Sequence, residues 1–249
     1  MPINAPDYKI IAVLPAYNAG KTLKNTLDEI DLHWIDEIIL VDDASQDNTF
    51  YLANKFGLKT FRHKNNLGYG GNQKTCYQQA IKDRADIVIM VHPDHQYDPT
   101  YIPQMILPIV RGQADAVFGS RMMVKGWARQ GGMPWWKYLA NIFLTKTENL
   151  VLGLRLTEYH SGFRAYRAEV LKNIPFQENS NNFVFDTEII VQLKLKNFKI
   201  KEIPISTKYF KDASSVGFRQ SITYGLDILS VLWNFILFKL KIRRDSRFC

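Results

Sequence analysis

Short apolar runs at residues 10–14, 38–41 and 87–91 alternate with segments whose apolar residues recur at helical spacing, at 22–31, 49–56 and 72–81. Runs of that length with few internal polar positions fit strands buried on both faces, and their alternation with helices predicts βαβ units in a parallel sheet. A further buried strand is predicted at 114–119 after the amphipathic stretch 101–110, so the first half is expected to be doubly wound. Helical patterns resume at 135–152 and 183–195, separated by TEYHSGFRAYR, and residues 199–204 read as one more strand. In such sheets the chemistry sits beyond the carboxyl ends of the strands, so the segments after Leu14, Val41, Val91 and Phe118 are expected to share one crevice.

Two segments depart from this alternation. Residues 125–134, KGWARQGGMP, have the composition of a functional loop able to act as a lid. The tail contains ILSVLWNFILFKLKI followed by Arg243, Arg244 and Arg247. A bilayer span takes about 20 consecutive apolar residues, and this run is shorter and broken by Asn234, so no transmembrane helix is expected. The expected division is a main domain at 1–220 and an apolar, basic helix at 221–249, either packed on the domain or lying on an anionic membrane.

With 249 residues, 46% of them hydrophobic, the chain can bury the core of one α/β domain. The net charge of +8 favours anionic partners, meaning nucleotide phosphates, lipid headgroups or nucleic acid. No recognised DNA or RNA motif accompanies the charge, and nucleic acid is set aside. Cys76 and Cys249 are the only cysteines, which excludes a disulfide framework or cysteine metal cluster and fits a reducing compartment. The first residues show no cationic segment followed by a signal-length apolar run. A cytoplasmic location is expected, with the cytoplasmic membrane face as the peripheral alternative.

After the first predicted strand comes LPAYNAGKTL, in which Pro15 fixes the exit from the strand and Tyr17 and Asn18 can face a ligand. After the second comes VDDASQDNT. Its polar residues either build a turn and helix cap, or offer Asp42 and Asp43 to a nucleoside whose base N–H and ribose hydroxyls are donors. These segments, with NLGYGGN at 66–72, HPDHQYDP at 92–99, GSR at 119–121 and SGFRAYR at 161–167, resemble the family 2 glycosyltransferases of the GT-A type. Dolichol-phosphate mannosyltransferases and bacterial polyprenyl-phosphate glycosyltransferases are the branch most resembled, over most of the chain. The resemblance implies an α/β, Rossmann-like GT-A fold with a mostly parallel central sheet flanked by helices. It also implies inverting transfer from a nucleotide-diphosphate sugar, UDP-sugars ahead of GDP-mannose, to a polyprenyl-phosphate or glycan acceptor.

In the resembled enzymes the segment matching HPDHQ holds a divalent metal, Mn2+ or Mg2+, on the donor diphosphate. Asp94 and Gln96 supply the oxygen ligands that hard cations take. His92 stands where a carboxylate is usual, and either ligates, which Mn2+ tolerates better than Mg2+, or ends the strand by hydrogen bonding. Ala19 likewise replaces a frequent Glu. The resemblance brings Gly68 and Gly70 near the nucleotide and Arg121 to the diphosphate, which a guanidinium fork binds bidentately. Arg129 and Arg164 are further cations, and Lys208 and Lys211 are candidates to close over an anionic donor or acceptor. Asp186 and Glu158, then Glu188, are candidate general bases, although Asp186 also suits a helix-end charge and a lipid phosphate needs no strong base. Because of His92, the rival expectation is a non-catalytic nucleotide-sugar binder.

Overall fold

The computed structural model describes residues 8–207 and 217–249, so Lys208 and Lys211 lie outside the described residues. The strands are β1 (Ile10–Ala16), β2 (Glu37–Asp42), β3 (Lys59–Arg62), β4 (Ile87–Met90), β5 (Ala116–Ser120), β6 (Arg164–Arg167) and β7 (Ile200–Pro204). They form one sheet in the order β3-β2-β1-β4-β6-β5-β7. Every neighbouring pair is parallel apart from those of β6, which runs against both β4 and β5. This is the mostly parallel, Rossmann-like arrangement that the apolar runs predict.

β1 shows why the central strands carry such runs. Ile11 and Val13 enter the cluster on one face with Tyr77 and Phe185, while Ile10, Ala12 and Leu14 enter the other with Leu23 and Met105. Successive side chains alternate between faces, and both faces are covered. The helices are α1 (Leu23–Asp28), α2 (Thr49–Lys55), α3 (Gly68–Lys82), α4 (Ile102–Val110), α5 (Trp127–Gln130), α6 (Trp135–Leu152), α7 (Ala168–Asn173), α8 (Phe185–Leu195) and α9 (Phe218–Lys239). Helices α1, α2 and α4 cover one face, while α3, α6, α7, α8 and α9 contribute to the core on the other. The chain leaves β1 for β2 and β3, and α3 then returns it to β4 on the opposite side of β1. That reversal opens a crevice at the carboxyl ends of β1 and β4.

Three details differ from the sequence pattern. Helix α3 starts at Gly68 rather than at 72, so the glycine cluster forms its first turn. There the Gly70 N–H donates to Asn181 O at 2.7 Å, and a Cβ on Gly70 would collide with Ser180 O and lie 2.8 Å from Phe185 Cβ. β6 has no apolar run to announce it, because Arg164 occupies a core position at 1% exposure. Finally, α9 has 22 residues and is long and apolar enough, by length and composition, to cross a membrane. One stripe of it, Ile228, Val231, Leu232 and Phe235, is committed to the core beside α6 and α8. Arg247 is likewise turned inward, donating to Glu188 Oε1 at 2.6 Å and to Asp245, which removes it from the basic end expected to meet a membrane.

Candidate active site

The crevice at the carboxyl ends of the strands is a cavity of about 740 Å³. The exits of β1 and β2 bring Pro15, Tyr17, Asn18 and Asp43 to its wall, β4 brings His92, Asp94 and Gln96, and β5 brings Arg121. Across from them α8 supplies Asp186, α6 supplies Trp136 and Lys137, and α9 supplies Tyr224. Tyr17 is half exposed at this wall, whereas Arg121 and Asp186 are buried.

The loops that follow β1 and β2 are fixed to one another by side chains. Asn18 adopts φ 51°, a left-handed conformation that Asn tolerates, and its Oδ1 accepts from Gln46 N–H at 2.8 Å while its own N–H donates to Ser45 Oγ at 2.9 Å. Asp43 Oδ1 accepts from Leu67 N–H at 2.8 Å and pairs with His63 Nδ1 at 2.7 Å, and Oδ2 accepts from Gly68 N–H at 3.0 Å. Gly68 holds φ +85° at this turn. Asp43 thus shapes the start of α3 while its carboxylate borders the cavity.

Asp94 Oδ1 accepts from Gln96 N–H at 3.1 Å, which turns the β4 exit into a tight carboxylate-amide unit. The His92 ring stacks on Tyr69 with centroids 5.6 Å apart and 9° between planes, and tilts against Tyr97. Its Nε2 faces Tyr69 Oη at 3.5 Å and Gly162, where a Cβ would collide with it. Burial pushes the imidazole below its ordinary range, outweighing the opposing charges of Asp94 and Asp186. Burial thus favours the neutral ring, which is wedged in the wall between Tyr69 and Gly162. Among the described residues no three His, Cys, Asp or Glu side chains form a ready metal cage. Two oxygen donors at one strand end do fit a hard cation whose remaining ligands come from a diphosphate and water.

Arg121 is held by Glu158. The Arg121 N–H donates to Glu158 Oε2 at 2.7 Å, Nε donates to Oε1 at 2.8 Å, Nη2 reaches the same oxygen, and Nη2 also donates to His160 O at 3.0 Å. Burial alone would raise the Glu158 carboxyl, but the Arg121 charge and hydrogen bonds, with Asn141 adding another, hold it below the usual range. Glu158 lies off the cavity wall with its oxygens engaged, so the geometry corrects its assignment as a base to that of a support for Arg121. Lys137 lines the same cavity; burial and the Arg121 charge both lower its pKa, which puts two cations within reach of one space.

Asp186, in the first turn of α8, accepts from Tyr69 Oη at 2.7 Å. Arg164 stands behind it, donating to Tyr159 O at 2.6 Å, Ser161 O at 2.8 Å and Asp186 O at 3.1 Å, with its guanidinium over the Phe118 ring. That buried position removes Arg164 from the phosphate-binding cations. Arg129 and Glu188 are also off the wall, the first donating to Met133 O and the second taken by Ser180 N–H and Arg247.

Two further expected ligand residues are placed elsewhere. Asp42 is fully buried behind the cavity, where Oδ2 pairs with Arg62 Nε at 3.1 Å. Adjacent residues at a strand end point to opposite sides, so only Asp43 of the pair reaches the crevice. Gly70 approaches the 180–181 backbone rather than the cavity. Conversely, Tyr69, Lys137, His160 and Tyr224 line the cavity without having been singled out from sequence. Tyr69 lay inside the quoted NLGYGGN segment and His160 inside TEYHSGFRAYR; Lys137 and Tyr224 have no local signal beyond helical context.

A Rossmann-like sheet whose carboxyl edge gathers the Asp43 and Asp94 carboxylates, Gln96 and a buried arginine in one cavity is the arrangement of a GT-A type glycosyltransferase. The chain belongs to glycosyl transferase family 2, whose model matches residues 11–175. It is 30% identical over 228 residues to the UDP-N-acetylglucosamine–dolichyl-phosphate N-acetylglucosaminyltransferase of Methanococcus voltae, covering 85% of this chain and 90% of that one. It is 26% identical over 205 residues to the undecaprenyl-phosphate mannosyltransferase of Micrococcus luteus, covering 80% and 83%. In fold it is similar to glucosyl-3-phosphoglycerate synthase from Mycobacterium tuberculosis in complex with Mn2+, UDP-glucose and phosphoglyceric acid, with a TM-score of 0.70, 17% identity and coverage of 92% and 80%. The protein is an enzyme of glycosyl transfer, in place of the non-catalytic binder that His92 left open.

Proposed function

We propose that the enzyme transfers a sugar from a UDP-sugar to a polyprenyl phosphate with inversion at the anomeric carbon. The observation that carries this reading is the pair of cations, Arg121 and Lys137, lining one cavity with Asp94 and Gln96. Arg121 and the Asp94–Gln96 end suit the donor diphosphate, and Lys137 offers a second positive centre for an acceptor phosphate. The Methanococcus voltae relative, named for a UDP-sugar donor and a dolichyl-phosphate acceptor, supports the same pairing. GDP-mannose is the second-ranked donor.

Asp43 and Tyr17 hold the nucleoside end, the former by its carboxylate and the latter by its exposed ring. Asp94 and Gln96 are the residues that would hold a divalent cation together with the diphosphate, with His92 as the candidate third contact. Such a cation supplies charge neutralisation on the departing nucleotide. An acceptor phosphate oxygen forms the new bond to the anomeric carbon from the side opposite the diphosphate as the old C–O bond breaks, and Arg121 meets the charge left on UDP. A phosphate nucleophile is already anionic, so Asp186 orients donor hydroxyls through its place beside Tyr69 and acts as a proton acceptor only toward a hydroxyl acceptor.

Transfer from a panel of UDP-sugars and GDP-mannose to farnesyl phosphate tests the reading. Asp94→Asn removes charge at nearly constant shape and is expected to lower transfer by about 100-fold or more while uridine affinity stays within about twofold. Transfer from GDP-mannose alone would overturn the donor assignment, and transfer only to a glycan hydroxyl would overturn the acceptor.

A peripheral place on an anionic membrane belongs to the same proposal. Trp135, Leu139 and Phe143 are exposed at four-residue spacing on α6, and Ile222, Leu226, Leu229 and Trp233 are exposed on the neighbouring α9. Exposed Lys146, Lys239, Lys241, Arg243 and Arg244 lie on or just beyond these two helices. An apolar face accompanied by cations fits acyl chains beneath anionic headgroups, and the same helices line the cavity into which a lipid phosphate must pass.

A further inference from the structure

Behind the α6–α9 wall lie two buried polar atoms without a hydrogen-bond partner, Glu148 Oε2 and His160 Nε2. They are 3.3 Å from each other. On its other side His160 Nδ1 lies 3.0 Å from Tyr224 Oη, and Tyr224 lines the cavity. Glu148 Oε1 accepts from the Thr187 hydroxyl at 3.2 Å, and His160 O accepts from Arg121. A chain of polar groups therefore runs from the core, through Glu148 and His160, to a hydroxyl at the cavity wall.

A buried acceptor facing a buried acceptor is costly, whereas one proton between them satisfies both. We propose that Glu148 and His160 hold one proton between them and thereby fix the Tyr224 hydroxyl as a hydrogen-bond donor to the acceptor phosphate. With the Glu148 carboxyl donating to Nε2, neutral His160 carries its own proton on Nδ1 and donates it to Tyr224 Oη. The Tyr224 O–H must then point elsewhere, toward the Thr187 hydroxyl beside it or toward a ligand in the cavity, and a phosphate oxygen is the stronger acceptor. The inference rests on the anionic-acceptor reading above. It adds Tyr224 as a group touching the acceptor, with His160 and Glu148 as the residues that position it.

The surroundings favour this proton placement. Burial raises the Glu148 carboxyl well above its ordinary range against the opposing effects of Thr187 and of Arg164 on β6. Burial lowers His160 to about 3, with Glu158 opposing and Arg121 and Arg164 reinforcing the shift. Tyr224 itself is raised chiefly by burial, so it remains a protonated donor. Tyr159, the other titratable group near Glu148, is also raised by burial.

Transfer to farnesyl phosphate, measured with the full chain, tests the proposal by separating KM from kcat. Tyr224→Phe is expected to raise the acceptor KM roughly tenfold, the loss of one hydrogen bond to a charged group, with the UDP-sugar KM unchanged. Glu148→Gln offers Nε2 an amide N–H at every pH and is expected to preserve the acceptor KM, whereas Glu148→Leu raises it. Wild-type acceptor KM should climb on the alkaline side, as the shared proton is lost, and Glu148→Gln should remove that climb. Isotope-labelled histidine should show His160 protonated on Nδ1 alone at neutral pH. An unchanged KM in Tyr224→Phe, equal effects of Gln and Leu at 148, or a doubly protonated His160 would each overturn the inference. Absence of wild-type transfer to farnesyl phosphate would instead overturn the acceptor reading, and the histidine spectrum would still decide the proton's place.

Discussion

Asp43 borders the cavity and also caps the turn at Leu67 and Gly68, so removing its side chain confounds two effects. Asp43→Asn separates them, because the amide oxygen can keep one backbone bond while the charge is lost. Affinity for UDP is expected to fall about tenfold in Asp43→Asn, with Asp43→Ala losing more and also melting earlier. Calorimetry and thermal denaturation of both variants check it, and equal UDP binding in wild type and Asp43→Asn would reduce Asp43 to a turn residue. His160 carries a separate pH consequence. Its folded pKa of about 3 lies below the ordinary histidine value of 6.5, so the unfolded chain takes up a proton that the folded chain refuses. The stability this provides is complete above pH 6.5 and is lost as pH falls toward 3. Melting temperature should therefore drop less steeply over that interval in His160→Gln than in wild type. Residues at strand exits were legible in sequence because the fold itself delivers them to the crevice. Lys137 and Tyr224 were not, since a helix shows its apolar stripe in sequence but not which polar neighbour the packing turns inward.

The first turn of α3 shows the same limit at the level of elements. A glycine cluster before a helical pattern predicts a loop near a ligand, and Gly68 does border the cavity at φ +85°. Gly70, two residues on, is required by the protein's own backbone at Ser180 and Asn181. Gly70→Ala is expected to destabilise by about 1–3 kcal/mol, read from urea unfolding, because neither Ser180 O nor Phe185 Cβ can yield without moving the start of α8. Asp186 rides on that turn, so transfer should fall more than UDP affinity does. Wild-type stability in this variant would show that the 180–185 segment gives way freely. The buried strands β1, β2 and β4 were legible from composition alone because both their faces are apolar. β3 was not, being a four-residue edge strand with exposed Lys59 and Arg62, and β6 was not, because Arg164 finds all its partners only after folding.

At the scale of the molecule, the apolar faces of α6 and α9 should make membrane binding depend on both helices. The full chain is expected to float with anionic vesicles at low salt and less so at high salt. Phe143→Glu combined with Trp233→Glu should reduce the bound fraction about tenfold while leaving UDP affinity unchanged. Flotation unaffected by the pair would place the docking surface elsewhere. The sheet order has another consequence, for how the chain is made. β6 fills the gap between β4 and β5, with Ala165 opposite both Ile89 and Val117, yet it follows both in the chain. A nascent chain that has just completed β5 therefore carries two buried-type strand edges, IVIM on β4 and AVFGS on β5, with nothing between them. These edges stay open until the segment around Arg164 has left the ribosome, so this is the stage at which a chaperone would have most to shield.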